Sequence, residues 1–229
     1  MRVTPDLYHR FALSTDALLE ELGRFVDLTN KVVADIGACT GRSALAAARK
    51  ARKVIAIDAY KSVVDFGAQV AREPGVENVT YLRAQRGFLP LRNASVDAVI
   101  CAWAELDYAE AYRVLRPGGY LVHMTCAPGC ACGELTPLLK PVEAAPGAWF
   151  KPDCPSVDAP ADTSLWAGAT FIEAAHTHDF TTVVDYGNVR EGAAILRRLW
   201  GPLAAQYLLY RKQSTIAWRQ RITYGRVKK

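Results

Sequence analysis

In the first half of the chain, short unbroken apolar runs alternate with stretches in which apolar residues recur every three or four positions. Leu18, Leu22, Phe25 and Val26 follow the capping candidates Ser14 and Thr15 at helical spacing, so a helix is expected there, ending at Thr29-Asn30. Val32–Ile36 is too short for a helix and opens on two valines, which reads as a buried strand. An alanine-rich helix over 43–50, a strand over 54–58, a helix over 62–72 that stops before Pro74-Gly75 and a short third strand over 79–82 follow in turn. A fourth strand is expected from residue 96 to 100. A helix then runs out through residues 112–119 into the turn Pro117-Gly118-Gly119, and a fifth strand occupies 120–124. Strands alternating with helices in this way build a mostly parallel sheet covered on both faces.

The periodicity fails over 126–170, which is rich in Pro, Ala, Gly and Cys and reads as loop with a short helix near 135–139. Residues 180–186 are β-rich, and 190–212 form two amphipathic helical pieces separated by Gly201-Pro202. Residues 214–224 alternate as a strand does, with Ile216, Trp218, Ile222 and Tyr224 on one face. At 229 residues and 51% hydrophobic composition the chain can bury one full core. One domain over 1–229 is therefore expected: a helical cap at 1–29, a core at 30–125, and a substrate-side loop, helical insertion and last strands at 126–229.

Chemistry concentrates where the first strand meets its helix. There the chain reads Asp35-Ile36-Gly37-Ala38-Cys39-Thr40-Gly41, and the second strand ends on Asp58, 21 residues after Gly37. A glycine turn at a helix N-terminus, with a carboxylate about 20 residues on that reaches a ribose hydroxyl, is half of a nucleotide-cofactor site. A dinucleotide needs bare backbone at the middle position of that turn, where Cys39 stands. Its diphosphate would also meet Asp35, so bulk and charge both oppose it. S-adenosylmethionine carries no phosphate, and a nearby carboxylate favours its sulfonium and ammonium cations directly or through water.

The turn resembles motif I of the class I S-adenosylmethionine-dependent methyltransferases, usually Asp/Glu-x-Gly-x-Gly-x-Gly, with Cys39 the one departure. Downstream, Leu89-Pro90-Leu91, the polar turn 92–95, Val96-Asp97-Ala98-Val99, a helix, Leu115-Arg116-Pro117-Gly118-Gly119 and an apolar strand are similar to the same family in order and spacing. The resemblance covers about residues 30–125. It implies an α/β, Rossmann-like, seven-stranded, mostly parallel sheet with helices on both faces and an antiparallel last strand. It also implies an enzyme that methylates a small-molecule acceptor at oxygen, nitrogen or carbon, leaving S-adenosylhomocysteine. On this resemblance Asp35, Gly37, Ala38, Cys39, Thr40 and Gly41 line the methionine end of the cofactor, and Asp58 takes the ribose hydroxyls. Ala59, Tyr60 and Val63 cover one face of the adenine. Gln85, and Arg86 through its backbone N–H, stand where many relatives have Asp-Ala. Cys101, Ala102 and Trp103 end the fourth strand, with Trp103 toward the acceptor, and Tyr8 and His9 close over the site from the N-terminal segment. A plainer reading stands beside these: Val63 and Ala102 equally suit the core, and Cys101 suits a buried thiol.

Methyl transfer is an in-line displacement at an already activated carbon, and orientation alone supplies about 7–11 kcal/mol in well-aligned systems. Only a hydroxyl or protonated amine acceptor needs a base. His123 on the fifth strand is the catalytic candidate, with Tyr8-His9, His176 and His178 as alternatives, and a satisfied core histidine is the competing reading of His123.

Charge and cysteines refine the picture. Residues 190–229 carry ten Lys/Arg against Glu191 alone, while the whole chain is only +5, so the C-terminal part is a basic face. No RNA-binding motif accompanies it, and a nucleic-acid partner is not expected. Six cysteines are few and irregularly spaced, which argues against a disulfide framework. Cys126, Cys130 and Cys132 fall within seven residues and, with Cys154 or His123, could hold zinc or trap a soft acceptor such as trivalent arsenic. Without a paired C-x-x-C they read more simply as a small-residue loop, and no metal is expected. No signal-peptide core and no run of 18 uncharged apolar residues is present, so a cytoplasmic setting without a membrane partner is expected. A non-methylating protein that binds the same cofactor, an enzyme acting on RNA and a nicotinamide-dependent reductase remain as competing readings. Oligomeric state is not written in the sequence.

Overall fold

The structure, a computed structural model, describes Pro5, His9 and residues 15–72, 75–127, 171–200 and 202–229. The apolar runs become strands β1 (Val32–Ile36), β2 (Lys53–Asp58), β3 (Val79–Arg83) and β4 (Val96–Ala102). Between and before them lie helices α1 (Thr15–Leu22), α2 (Arg42–Ala48), α3 (Lys61–Val70) and α4 (Tyr108–Val114). The chain then continues through β5 (Leu115–Cys126), β6 (Ile172–Asp185), α5 (Val189–Trp200), α6 (Pro202–Arg211) and β7 (Thr215–Val227).

The seven strands form one sheet in the order β3-β2-β1-β4-β5-β7-β6. The pairs β1–β2, β2–β3, β1–β4 and β4–β5 are parallel. β7 runs the other way: Ala127 N–H donates to Arg219 O next to β5, and at the two ends of β6 Tyr186 N–H donates to Ser214 O and Lys228 N–H to Phe171 O. Strand order reverses between β1 and β4, and in such sheets ligands bind outside the carboxyl ends of the strands at that point. Register aligns those ends, with Ile36 opposite Ile57 and Cys101, and Cys101 opposite His123.

Contacts divide the chain into two units. The larger comprises Thr15–Thr125, Ala161–His178 and Arg221–Lys229, and holds the core of Ala34, Ile36, Ile57, Val99, Leu115 and Leu121, each nearly or wholly buried. The other comprises Met1–Ser14, Cys126–Pro160 and Asp179–Gln220. Within it α5 lies against α6, and a Cβ on Gly192 would come 2.8 Å from Leu208 Cδ1 and 2.9 Å from Tyr186 Cβ, so glycine sets that close approach.

Two expectations are corrected. The helix before strand five stops at Val114, and β5 begins at once: Leu115 is already extended (φ −68°, ψ 142°), and Arg116, the residue before Pro117, is kept out of the helical region. Pro117-Gly118-Gly119 is therefore a bulge inside the strand, where Val96 pairs with Leu115 but Ala98 with Tyr120. Gly118 sits at φ +71°, and a Cβ on Gly119 would approach Arg116 O to 2.9 Å. The second correction concerns Tyr224. Burial follows Ile216, Trp218, Gln220 and Ile222 but then passes to Thr223, Gly225 and Val227, leaving Tyr224 half-buried and stacked with Phe25 and His176 at centroid distances of 5.4 and 5.3 Å.

Candidate functional site

The turn after β1 is held by its own backbone. Gly37 and Ala38 N–H both donate to Ile57 O (2.9 and 3.1 Å), Gly41 N–H donates to Ala38 O (2.8 Å), and Cys39 N–H donates to Asp58 Oδ2 (2.9 Å). Three consecutive odd positions lie in the left-handed region, Gly37 at φ +71°, Cys39 at +50° and Gly41 at +82°. Glycine adopts this conformation without penalty and cysteine does not. Of the five N–H groups from Gly37 to Gly41, four are thus spent internally. A turn in this state has no fan of donors to offer a diphosphate, whose binding depends on such groups.

Asp35 lies directly behind the turn and is 1% exposed. Ser43 Oγ donates to its Oδ2 at 2.5 Å, while Oδ1 is buried and no described residue pairs with it. Burial pushes this carboxyl up to about 7; Ser43 opposes that rise, and the nearby Asp58 adds to it. A buried carboxylate with an open oxygen and no cation beside it is costly alone, and a cationic ligand group would repay that cost. Asp58 ends β2 and braces two loops, with Oδ1 accepting from Tyr60 N–H at 2.9 Å and Oδ2 from Cys39. Each oxygen keeps a second lone-pair direction. Burial also raises the Asp58 pKa.

The loop after β4 closes against this turn. A Cβ on Gly37 would come within 2.3 Å of Ala104 Cβ, so the first glycine is required by that approach. Ala104 O is the loop's anchor, accepting from Cys101 Sγ at 3.3 Å and from His123 Nε2 at 3.1 Å. A carbonyl only accepts, so Nε2 carries the proton and Nδ1 accepts from Tyr108 Oη at 3.3 Å. Burial lowers the His123 pKa, keeping the ring neutral. Trp103, at φ +51°, is held by donating its N–H to Met124 O (2.9 Å), and its indole Nε1 is buried with no described partner.

The structure thus gathers Asp35, Gly37, Ala38, Cys39, Thr40, Gly41, Asp58, Cys101, Ala102, Trp103 and His123 at the carboxyl ends of β1, β2, β4 and β5. Ala59 and Tyr60 follow Asp58, with Tyr60 38% exposed as the residue preceding α3, whereas Val63 is 1% exposed. Gln85 and Arg86 are exposed after β3, where Arg86 forms an ion pair with Glu105 of the β4 loop. Tyr8, Cys130, Cys132 and Cys154 lie outside the described residues, and His9 is half-buried in the smaller unit. Among the described residues there is no cluster of three or more His, Cys, Asp or Glu able to hold a metal, and no helix is long and apolar enough to cross a membrane.

Two participants escape sequence reasoning. Ala104 carries no chemical signal. Tyr81, on β3, lies against Gly41 and Gly67, where added Cβ atoms would stand 1.4 Å from its Oη and 2.2 Å from its Cε1. Only the two glycines, Gly41 just before α2 and Gly67 within α3, hint at it.

Comparison with known proteins places this geometry. A methyltransferase domain profile matches residues 33–119. The uncharacterized methyltransferase YcgJ of Bacillus subtilis is 33% identical over 84 residues, which is 37% of this chain and 33% of that protein. An uncharacterized RNA methyltransferase, FN1713, of Fusobacterium nucleatum is 31% identical over 80 residues, 33% of this chain and 17% of that one. The matched stretch spans about a third or less of these curated relatives. The crystal structure of YcgJ superimposes with a TM-score of 0.63 at 18% identity, covering 94% of this chain and 98% of that one. A SAM-dependent methyltransferase from Aquifex aeolicus gives 0.56 at 15% identity, covering 99% and 100%. At such identities the structural likeness establishes the fold. The chain thus shares the fold of these methyltransferases and, over residues 33–119, which span its first four strands, is similar in sequence to methyltransferase domains.

Proposed function

We propose that the chain transfers a methyl group from S-adenosylmethionine to a small-molecule acceptor, in a cytoplasmic setting. The observation that carries this is Asp35: a buried carboxylate with an open oxygen, behind a turn whose N–H groups are already spent, suits a cationic, phosphate-free cofactor. When bound, that cofactor supplies an electrophilic methyl carbon on a sulfonium. Asp35 and residues Gly37 to Gly41 would hold its methionine end, Asp58 its ribose through the remaining lone pairs, and Ala59, Tyr60, Val63, Gln85 and Arg86 its adenine. Cys101 and Ala102 form the wall at the end of β4.

His123 is then a positioning residue. Both ring nitrogens are engaged, and its bond to Ala104 O fixes the loop that presents Trp103 to the acceptor. Tyr8 and His9 are assigned to the acceptor side on the resemblance alone. Calorimetric titration tests the reading: S-adenosylmethionine and S-adenosylhomocysteine should bind and NADH should not. Failure of the first two, or tight binding of NADH, removes it.

A second reading, transfer to RNA, is favoured by Arg190, Arg197 and Arg198, all exposed on α5, and by the match to a protein named as an RNA methyltransferase. It predicts binding to single-stranded RNA whose affinity falls steeply with salt, with a slope of about −0.7 per phosphate neutralised. Absence of RNA binding at low salt would exclude it.

A further inference from the structure

Two buried polar atoms, close enough that the Asp35 charge acts on Tyr81, bear on the N-terminal turn of α2. From β1, Asp35 reaches it through Ser43 Oγ on Oδ2, leaving Oδ1 without a described partner. From β3, Tyr81 brings its Oη to the position that a Cβ on Gly41 would occupy, and this hydroxyl too is buried without a partner. Gly41 directly precedes α2 and Ser43 lies in its first turn. Buried polar groups in folded proteins are almost always satisfied, and where two lie near one another without touching, an ordered water commonly joins them. The donor inventory closes with one molecule: Tyr81 Oη–H donates to the water, and the water donates to Asp35 Oδ1.

We propose that Tyr81 is a positioning residue of the cofactor turn, its hydroxyl and Asp35 Oδ1 sharing one buried water beneath Gly41. The glycines at 41 and 67 follow from this role, since a side chain at either would displace the ring. The groups acting on Asp35 are Ser43 Oγ and Ala44 N–H from α2 and Asp58 from β2; its own charge in turn disfavours ionisation of Cys39 in the turn, Tyr81 on β3 and Cys101 on β4, and Arg86 bears on Cys101. None of these is a cation facing Asp35, so against its burial only the hydrogen bonds it accepts favour the ionised form. The water supplies one of them.

The test is Tyr81→Phe, which keeps the ring and removes only the hydroxyl. Two readouts are taken from pH 4 to 9: the urea midpoint of the unliganded protein, and the calorimetric Kd for S-adenosylmethionine, which alone rests on the proposed cofactor. Losing the donor makes the carboxylate harder to ionise. The pH midpoint of the Asp35-dependent change should move upward by at least half a unit in both profiles, and Kd at pH 7 should weaken several-fold. Superimposable profiles overturn the proposal, as does a high-resolution crystal structure of the wild-type protein with no water between the two atoms. If the wild-type protein binds no S-adenosylmethionine, the functional reading falls while the unliganded profile still decides the role of Tyr81.

Discussion

Cys39 stands at φ +50° between two glycines that hold the same backbone region, and the left-handed conformation costs an L-residue with a Cβ about 1–2 kcal/mol. Replacing it by glycine removes that strain but loosens the unfolded chain by about 0.5–1 kcal/mol. Cys39→Gly should therefore be neutral or stabilising by up to about 1 kcal/mol in urea denaturation. Gly37→Ala, by contrast, meets both φ +71° and an Ala104 methyl at 2.3 Å, and should cost at least about 2 kcal/mol. If both substitutions destabilise equally, the turn is not held as described. The same comparison shows why this part of the site was legible: a backbone that must turn left-handed and admit a neighbour writes its glycines into the sequence. Trp103, equally strained, and Ala104 leave no such mark, because the loop after β4 is shaped by a hydrogen bond donated to Met124 O and one accepted from His123, both distant in sequence.

At the scale of elements, α3 contains a glycine where propensity alone favours alanine by about 1 kcal/mol. Tyr81 reverses that preference, since its ring occupies the space of the missing methyl. Gly67→Ala should destabilise by about 1–3 kcal/mol in the wild-type background and stabilise in a Tyr81→Ala background, a change of sign that a double-mutant cycle by urea melts reads directly. Retention of the same sign in both would show that the ring does not dictate the glycine. Arg113 on α4 makes a different kind of link. It donates to Leu89 O, Leu91 O and Asn93 Oδ1 while paired with Glu110, which in turn accepts from Leu89 N–H. One side chain thus satisfies the backbone of the loop between β3 and β4. Arg113→Ala strips Leu91 O of this donor and leaves Leu89 O only its bond from Leu91 N–H, and should cost about 2 kcal/mol, with amide exchange accelerated across residues 88–93 first. β1, β2 and β4 were readable because each buries a nearly continuous apolar run. The start of β6 was not: Glu173 to Thr177 are exposed, so no alternation marks the strand.

For the molecule as a whole, these local carboxylates predict how stability follows pH. The Arg113 guanidinium holds Glu110 down to about 2, so its contribution is complete above its ordinary 4.5 and disappears as pH falls through 2. Asp35 acts in the opposite sense. Its folded pKa of about 7 exceeds the ordinary 3.8, so between these values the folded protein keeps a proton that the unfolded chain releases. Stability is therefore lost as pH rises from about 4 to 7, and the loss is constant above 7. Asp58, also raised by burial, adds to the decline, whereas His123, buried and neutral, favours the folded state as pH rises toward its ordinary 6.5. Glu110 and Asp35 together place greatest stability near pH 4–5, below the neutral plateau usual for proteins whose carboxylates are all paired. Asp35→Asn cannot titrate, and urea midpoints of this variant should show most of the decline between pH 5 and 7 removed. A variant that keeps the full decline would place its origin elsewhere. The expected loss at neutral pH is the stability that a cationic ligand restores, because its binding favours the ionised carboxylate. Affinity for S-adenosylmethionine should then rise by up to about tenfold per pH unit below 7 in the wild type and by markedly less in Asp35→Asn.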